Sequence, residues 1–399
     1  MADALNQVTR FAYSDGGCPS CTTGVDQLVS VTDAKNQQTS FTYDALGRLL
    51  TETDPLSKTT HYGYGPQEMP TSKTDANGAT IQYAYDALQR LTGKTFPGGG
   101  SESFTYDSRG NILTASNDTI SYTFAYDAAS RLTSVSDSRG YGITYEYDAN
   151  GNRTSMAFAP GTADERVITY AYDSADRLQT IASPAGTFSF GYDQLNRRTS
   201  LAYPNGVATS YAYDNAGRLT GLSHSGVASF TYTHDNVGNR TSRISSSAES
   251  YMYDKLYRLI NVSSSSKPEA FVFDPVGNRE NGPSPKDAAY LHNTANQMTS
   301  GRQLQFGYDD NGNQVSRTIP GASDKIFTLG WDSENRLVNV QKSKGAETKS
   351  ITFKYDPFGR RIEKRVSTVI DGVFRNSTYT YVYDNEDIAF VILVDDRSW

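Results

Sequence analysis

The phrase FTYDALGRLL at residues 41–50 returns throughout the chain, and its spacing limits the folds open to the polypeptide. Its aspartate stands at Asp44, Asp86, Asp107, Asp127, Asp148, Asp173, Asp193, Asp214, Asp235, Asp254, Asp274, Asp309, Asp332 and Asp356. A decayed copy, with Gly65 in the aspartate position, lies halfway between the first two. Weaker copies read YLHNTANQ at 290–297 and YVYDNEDI at 381–388. A period of about 21 residues is the mark of a repeat architecture, not of unrelated domains in series. It predicts one array over 1–399, about sixteen units long, with no second domain.

Within each copy the residues before the aspartate alternate. Tyr122, Phe124 and Tyr126 fall on one face of an extended chain, Thr123 and Ala125 on the other. The same holds for Phe188, Phe190 and Tyr192, and for Ile351, Phe353 and Tyr355. Period two predicts strands with one aromatic and one small or polar face. The 28 Tyr and 17 Phe are too many aromatics for a disordered chain. Two variable residues follow the aspartate, then usually Gly or Asn, as at Gly47, Gly110, Gly151, Asn196 and Asn335. That position calls for positive φ, as in a type I turn closed by a bulge. Arg or Asn comes next in all the clear copies, and a second strand runs on. A Thr-Asp turn then closes the unit, as in TDPLSK at 53–58 and TDANGA at 74–79. The expected fold is all-β, a repeat array of antiparallel hairpins. Roughly 32 strands at ~4.8 Å spacing make a sheet too long to stay flat, so it is expected to curl or spiral.

The repeated motif is the candidate functional set. Its best copies are Tyr43, Asp44, Gly47 and Arg48; Tyr85, Asp86 and Arg90; Tyr126, Asp127 and Arg131; Tyr213, Asp214, Gly217 and Arg218; and Tyr355, Asp356, Gly359 and Arg360. An aspartate that opens a turn can accept hydrogen bonds from the turn's own backbone. The arginine is expected to pair with a neighbouring turn aspartate or to stack on a tyrosine of an adjacent unit. Metal binding by the aspartates is the rival reading. DANGN at 148–152 and DDNGN at 309–313 resemble the start of a calcium loop, but neither supplies the glutamate that closes one.

Other chemistry is sparse. Cys18 and Cys21 form a lone C-P-S-C, half of a zinc site with no second pair. A local disulfide or two free thiols is the expectation, so no cofactor and no resident metal are assigned. FPGGGSES at 96–103 lacks the lysine of a phosphate loop. His61, His224, His234 and His292 are the only histidines, and His234 stands where tyrosine is usual. No nucleophile–base pair stands apart from the array, so no enzyme is expected. The net charge of −7 comes without a basic stripe, which argues against a nucleic-acid partner. The longest apolar run, FVILV at 390–394, is strand-sized, so no membrane span is expected. MADALNQVTR at the start has no apolar signal region.

The segment YDALGRLLTETDPLSKTTHYGY at 43–64 resembles the YD-repeat, or Rhs, family, and the likeness extends over almost the whole chain. That resemblance implies a β-shell that encloses a toxin cargo, as in bacterial polymorphic toxins, toxin-complex shells and the related teneurins. It implies a second shell component as a further partner, and a parent protein secreted or delivered at the surface of a bacterium. Cell-surface glycans are the partner under the alternative of a carbohydrate-binding module. Family shells are followed by a D-P-x-G-L type cleavage motif. Here YDPFGRR at 355–361 has the Asp-Pro-x-Gly but continues as an ordinary repeat, so the chain is expected to be a fragment of a longer shell protein.

Overall fold

The computed structural model describes residues 1–14, 27–66, 68–281, 289–319, 322–344, 347–370 and 373–396. Cys18 and Cys21 lie outside the described residues. Among those described the chain is all-β, and strands pair antiparallel with their neighbours in sequence.

The first full repeat shows how the motif makes a hairpin. Strand Gln38–Tyr43 pairs with Leu49–Thr53 through Ser40↔Thr53, Phe41↔Glu52 and Thr42↔Thr51. The register then slips by one residue so that Tyr43 faces Leu49. Such a slip is a β-bulge, and the turn that generates it is closed by two backbone hydrogen bonds. Asp44 N–H donates to the Arg48 carbonyl and Gly47 N–H to the Asp44 carbonyl, each at 3.0 Å. Gly47 sits at φ 81°, where a Cβ is unwelcome. The turn imposes that angle whatever residue is present: Gln89, Ser130 and Asn335 hold φ 62°, 61° and 59° at the same place. The Thr-Asp turns use the same aspartate chemistry. Asp54 Oδ1 accepts the N–H groups of Leu56 and Lys58 at 2.8 Å each.

The chain divides into two compact units. One comprises Met1–Tyr106, Thr114–Ser121 and Val272–Trp399; the other comprises Asp107–Leu113 and Tyr122–Phe271. In the second unit, hairpins follow one another from Ser121–Tyr126 to Leu259–Ser264, and the expected alternation sets burial. Tyr122 is buried while Thr123 and Ala125 are exposed, and Ile143, Tyr145 and Met156 continue the buried row. In the first unit, strands Leu28–Thr32 through Ser101–Tyr106 form one tier of hairpins. A ten-stranded sheet from Leu291–His292 to Asp387–Asp396 supplies most of the other. Its last strands lengthen to 9, 10, 12 and 10 residues. Between these tiers lie Phe104, Ala115, Ile120 and Ile362, all buried.

Candidate functional site

The repeated motif forms a clasp that ties each unit to the next. Asp44 Oδ1 accepts the N–H groups of Leu46 and Arg48 at 2.9 Å, and Oδ2 accepts Arg48 Nε at 2.7 Å. Asp86–Arg90, Asp127–Arg131, Asp214–Arg218 and Asp356–Arg360 repeat this pair at 2.6–2.7 Å. The arginine therefore pairs with the aspartate of its own turn, not with that of a neighbour. The backbone donors, together with the arginine, hold the carboxyls of Asp44, Asp86, Asp127 and Asp214 below the usual carboxylate range. Stability from these groups is complete above the ordinary carboxylate range. It is lost only as pH falls through their lowered values.

Held by its aspartate, the guanidinium lies over the tyrosine of the next unit. Arg48 covers Tyr64 at 4.7 Å, Arg90 covers Tyr106 at 4.7 Å, and Arg131 covers Tyr147 at 4.8 Å. Arg197 over Tyr213, Arg336 over Tyr355 and Arg360 over Tyr383 continue the series at 4.8–5.1 Å. The same arginine donates to a carbonyl of the next turn, Arg48 to Gly65, Arg131 to Asp148 and Arg197 to Asp214. The covered tyrosine answers with its hydroxyl. Tyr106 donates to the Leu91 carbonyl at 2.7 Å, Tyr147 to Leu132 at 2.8 Å, and Tyr355 to Leu337 at 2.7 Å. Each acceptor is the residue just after the covering arginine. Tyr43 makes the equivalent bond to Leu28 at 2.8 Å. Tyr85 and Tyr126 follow copies without an arginine at the clasp position, and burial pushes their hydroxyls up.

Where the clasp residue is asparagine, its amide still reaches the aspartate, as in Asn152 to Asp148 at 3.0 Å, but it is too short to stack. In three such copies the next residue is arginine, and it serves a second aromatic row, Arg279 lying over Tyr290 at 5.2 Å. Arg153 lies over Tyr145 and Tyr170, and Arg240 over Tyr232 and Tyr251. Arg198 and Arg361, after a clasp arginine, do the same with Tyr211 and Tyr381. The pairs Asn-Arg and Arg-Arg at 152–153, 197–198, 239–240, 278–279 and 360–361 were the available sequence signal for this row. Arg131→Lys keeps the charge but loses the planar fork and the stack. It is expected to cost about 1 kcal/mol and to speed amide exchange of strand Gly142–Tyr147.

A second arrangement, within the first unit, joins residues far apart in sequence. The Thr-Asp turns of the first tier meet the Tyr-Asp turns of the other. Asn77 Nδ2 donates to Asp309 Oδ2 at 3.1 Å, and Asn311 Nδ2 to Asp75 Oδ2 at 2.6 Å. Lys35 pairs with Asp274 at 3.0 Å and Lys58 with Asp310 at 2.7 Å. Phe358, at a turn tip, meets Phe104 edge-on at 6.1 Å, and Asn117 Nδ2 donates to the Tyr355 carbonyl at 3.0 Å. The densest point is ionic: Lys94 Nζ is 2.7 Å from Glu334 and 2.9 Å from Glu102, while Arg336 is 3.6 Å from Glu102 and 2.7 Å from Glu334. Glu102 is only 2% exposed. Burial pushes its carboxyl up, against the pull of Lys94. Burial works against the charge on Lys94, yet its bonds to Glu334 and Glu102 prevail and hold the ammonium above its ordinary value.

A cleft of about 500 Å³ opens at this seam, lined by Asp75, Asn77, Phe96, Asp309, Trp331 and Arg336 among others. Its carboxylates already accept hydrogen bonds from Asn311, Asn77 and Asn313. Among the described residues, no group of three or more His, Cys, Asp or Glu is placed to hold a metal ion. Among the same residues, no helix is long and apolar enough to cross a membrane.

Comparison with known proteins places these features. The family model described as Teneurin YD-shell matches residues 98–244 and 236–387, and that described as RHS Repeat matches 24–59, 44–80 and 69–101. The tRNA3(Ser)-specific nuclease WapA of Bacillus spizizenii is 30% identical over 149 residues, 36% of this chain and 6% of its own length. Double-stranded DNA deaminase toxin A of Burkholderia cenocepacia is 30% identical over 116 residues, 29% of this chain and 8% of its own. This chain thus spans only a small part of the curated relatives it matches. The crystal structure of TcdB2-TccC3-Cdc42 aligns with a TM-score of 0.63 at 14% identity, covering 98% of this chain and 24% of that one. At that identity the likeness is one of fold.

Proposed function

The chain belongs to the Teneurin YD-shell family, and on that premise we propose that it is a length of shell wall that helps enclose and deliver a toxic cargo carried elsewhere in a longer polypeptide. Its contribution is containment, with no catalysis of its own. The observation that carries this reading is the clasp. A wall must be continuous and hard to open, and here an arginine fixed by an ion pair within its own turn grips the next unit by a stack and a hydrogen bond to its backbone at once. Relatives named as a nuclease and a deaminase toxin match this chain over a small share of their length, in keeping with activity housed outside the matched part. The tyrosines on which a sugar would stack carry a guanidinium on one face already, so a glycan-binding role has no comparable support. Partner shell components and secretion belong to the same proposal.

The test is protease protection of the natural polypeptide that contains this array. The cargo is expected to resist limited proteolysis while the array is intact. It should become sensitive when Arg131, Arg177 and Arg197 are changed together to alanine. Digestion of the cargo at the same rate in both proteins would discard the containment reading.

A further inference from the structure

One clasp in the second unit is built differently. At the position where Tyr147, Tyr192 and Tyr213 receive the preceding arginine, the unit that ends in Asp235 has His234. The arginine is in place. Arg218 is held by Asp214 at 2.7 Å and donates to the Asp235 carbonyl, as Arg197 does to that of Asp214. The imidazole therefore occupies the spot over which a guanidinium lies in the other copies. It has no hydroxyl to return, and among the described residues no hydrogen bond joins it to Leu219, the acceptor that a tyrosine would use. Its Nδ1 is buried without a hydrogen-bond partner. On its other side, Arg240 is its cross-strand neighbour.

We propose that His234 makes this clasp an acid-sensitive joint, closed while the imidazole is neutral and loosened when it takes up a proton. The charged groups on the turns and strands packed around it are Arg218 with its partner Asp214, Arg240, Asp235, and farther along the same sheet Arg243 with Glu249. The two nearest in the clasp, Arg218 and Arg240, are cations. Asp214 is committed to Arg218, and Asp235 to the N–H groups of its own turn and the amide of Asn239, so neither carboxylate is hydrogen-bonded to the ring. A neutral imidazole can lie under a guanidinium; an imidazolium is repelled by it. Histidine is the side chain that ordinarily changes charge between about pH 5 and 8. No tyrosine clasp titrates in that window.

His224, on the adjacent strand and bonded to Thr209 at 2.8 Å, is the other titratable group nearby, and the variants separate the two. The experiment is hydrogen–deuterium exchange of the full chain at pH 7.5 and pH 5.0, with rates corrected for intrinsic exchange. In the native protein, strands Leu219–His224 and Ala228–His234 are expected to lose roughly tenfold of their protection at pH 5.0, the scale set by repulsion between like charges packed in one clasp. His234→Tyr and His234→Phe should both abolish that loss. Only the tyrosine variant should also gain protection at pH 7.5, because only it restores the hydroxyl bond. Equal acid sensitivity in all three proteins would assign the effect to His224 or to the sheet at large and overturn the proposal. So would the absence of any loss in the native chain.

Discussion

Asp356→Ala is expected to lower the stability of the first unit by about 3 kcal/mol, the penalty for stranding the donors that a fully buried carboxylate satisfies. The Asp356 carboxylate is fully buried, accepts the N–H groups of Phe358 and Arg360 at 3.0 and 2.8 Å, and binds Arg360 Nε at 2.7 Å. Alanine leaves that guanidinium beside the seam without its carboxylate, over Tyr383 and Phe358 and bonded to a carbonyl of Asn385. The same change at Asp44 removes identical bonds, but in a turn that water reaches, with the aspartate side chain 19% exposed. There the loss is expected to be much smaller, since water replaces part of what is removed. Urea denaturation of the two variants, followed by circular dichroism, measures the difference. Equal losses would show that burial in the seam adds nothing to the turn itself.

Lys94→Met is expected to cost a similar amount, about 3–5 kcal/mol at pH 7, because Glu102 and Glu334 then face each other with Arg336 alone between them. This variant also predicts a pH dependence. The Glu102 carboxyl lies above its usual range in the folded protein, first because of burial. The folded state therefore binds a proton there more readily than the unfolded chain. Stability contributed by this group rises as pH falls through the folded value. Removing Lys94 pushes the carboxyl up further, so the deficit of the variant should shrink between pH 8 and pH 5. Lys94, held above its ordinary value, contributes fully throughout that window and loses its effect only in alkali. A deficit that stays constant with pH would remove Glu102 from this account.

The hairpins were legible because each is encoded locally. Alternating aromatics mark Ser121–Tyr126, and the aspartate, the positive-φ residue and the arginine mark the turn after it. The stacking of Arg131 on Tyr147 was also within reach, since clasp and receiver are one period apart. The seam was not. Its contacts from Asn77–Asp309 to Phe104–Phe358 join residues 232 to 254 apart, and a chain of similar phrases carries no pattern at that separation. Asp44 and Asp356 sit in the same phrase, yet one lies at a wetted turn and the other is fully buried. One clue was present. Five residues before the aspartate the buried row reads Ile81, Tyr122 and Ile143, and in the unit of Asp107 it reads Glu102. A carboxylate in an apolar row needs a partner from elsewhere, and Lys94 with Arg336 supplies it.

The clasp also has a direction. The arginine always reaches forward along the chain and the tyrosine always reaches back, over 14 to 18 residues in Tyr192–Leu178 and Tyr355–Leu337. On a ribosome, each hairpin would be secured by the next one to emerge, without waiting for distant sequence. Contacts so local are made quickly. An exposed growing edge is thus never more than one repeat long, while the contacts more than 200 residues apart close last. The order of synthesis and the order of assembly are then the same.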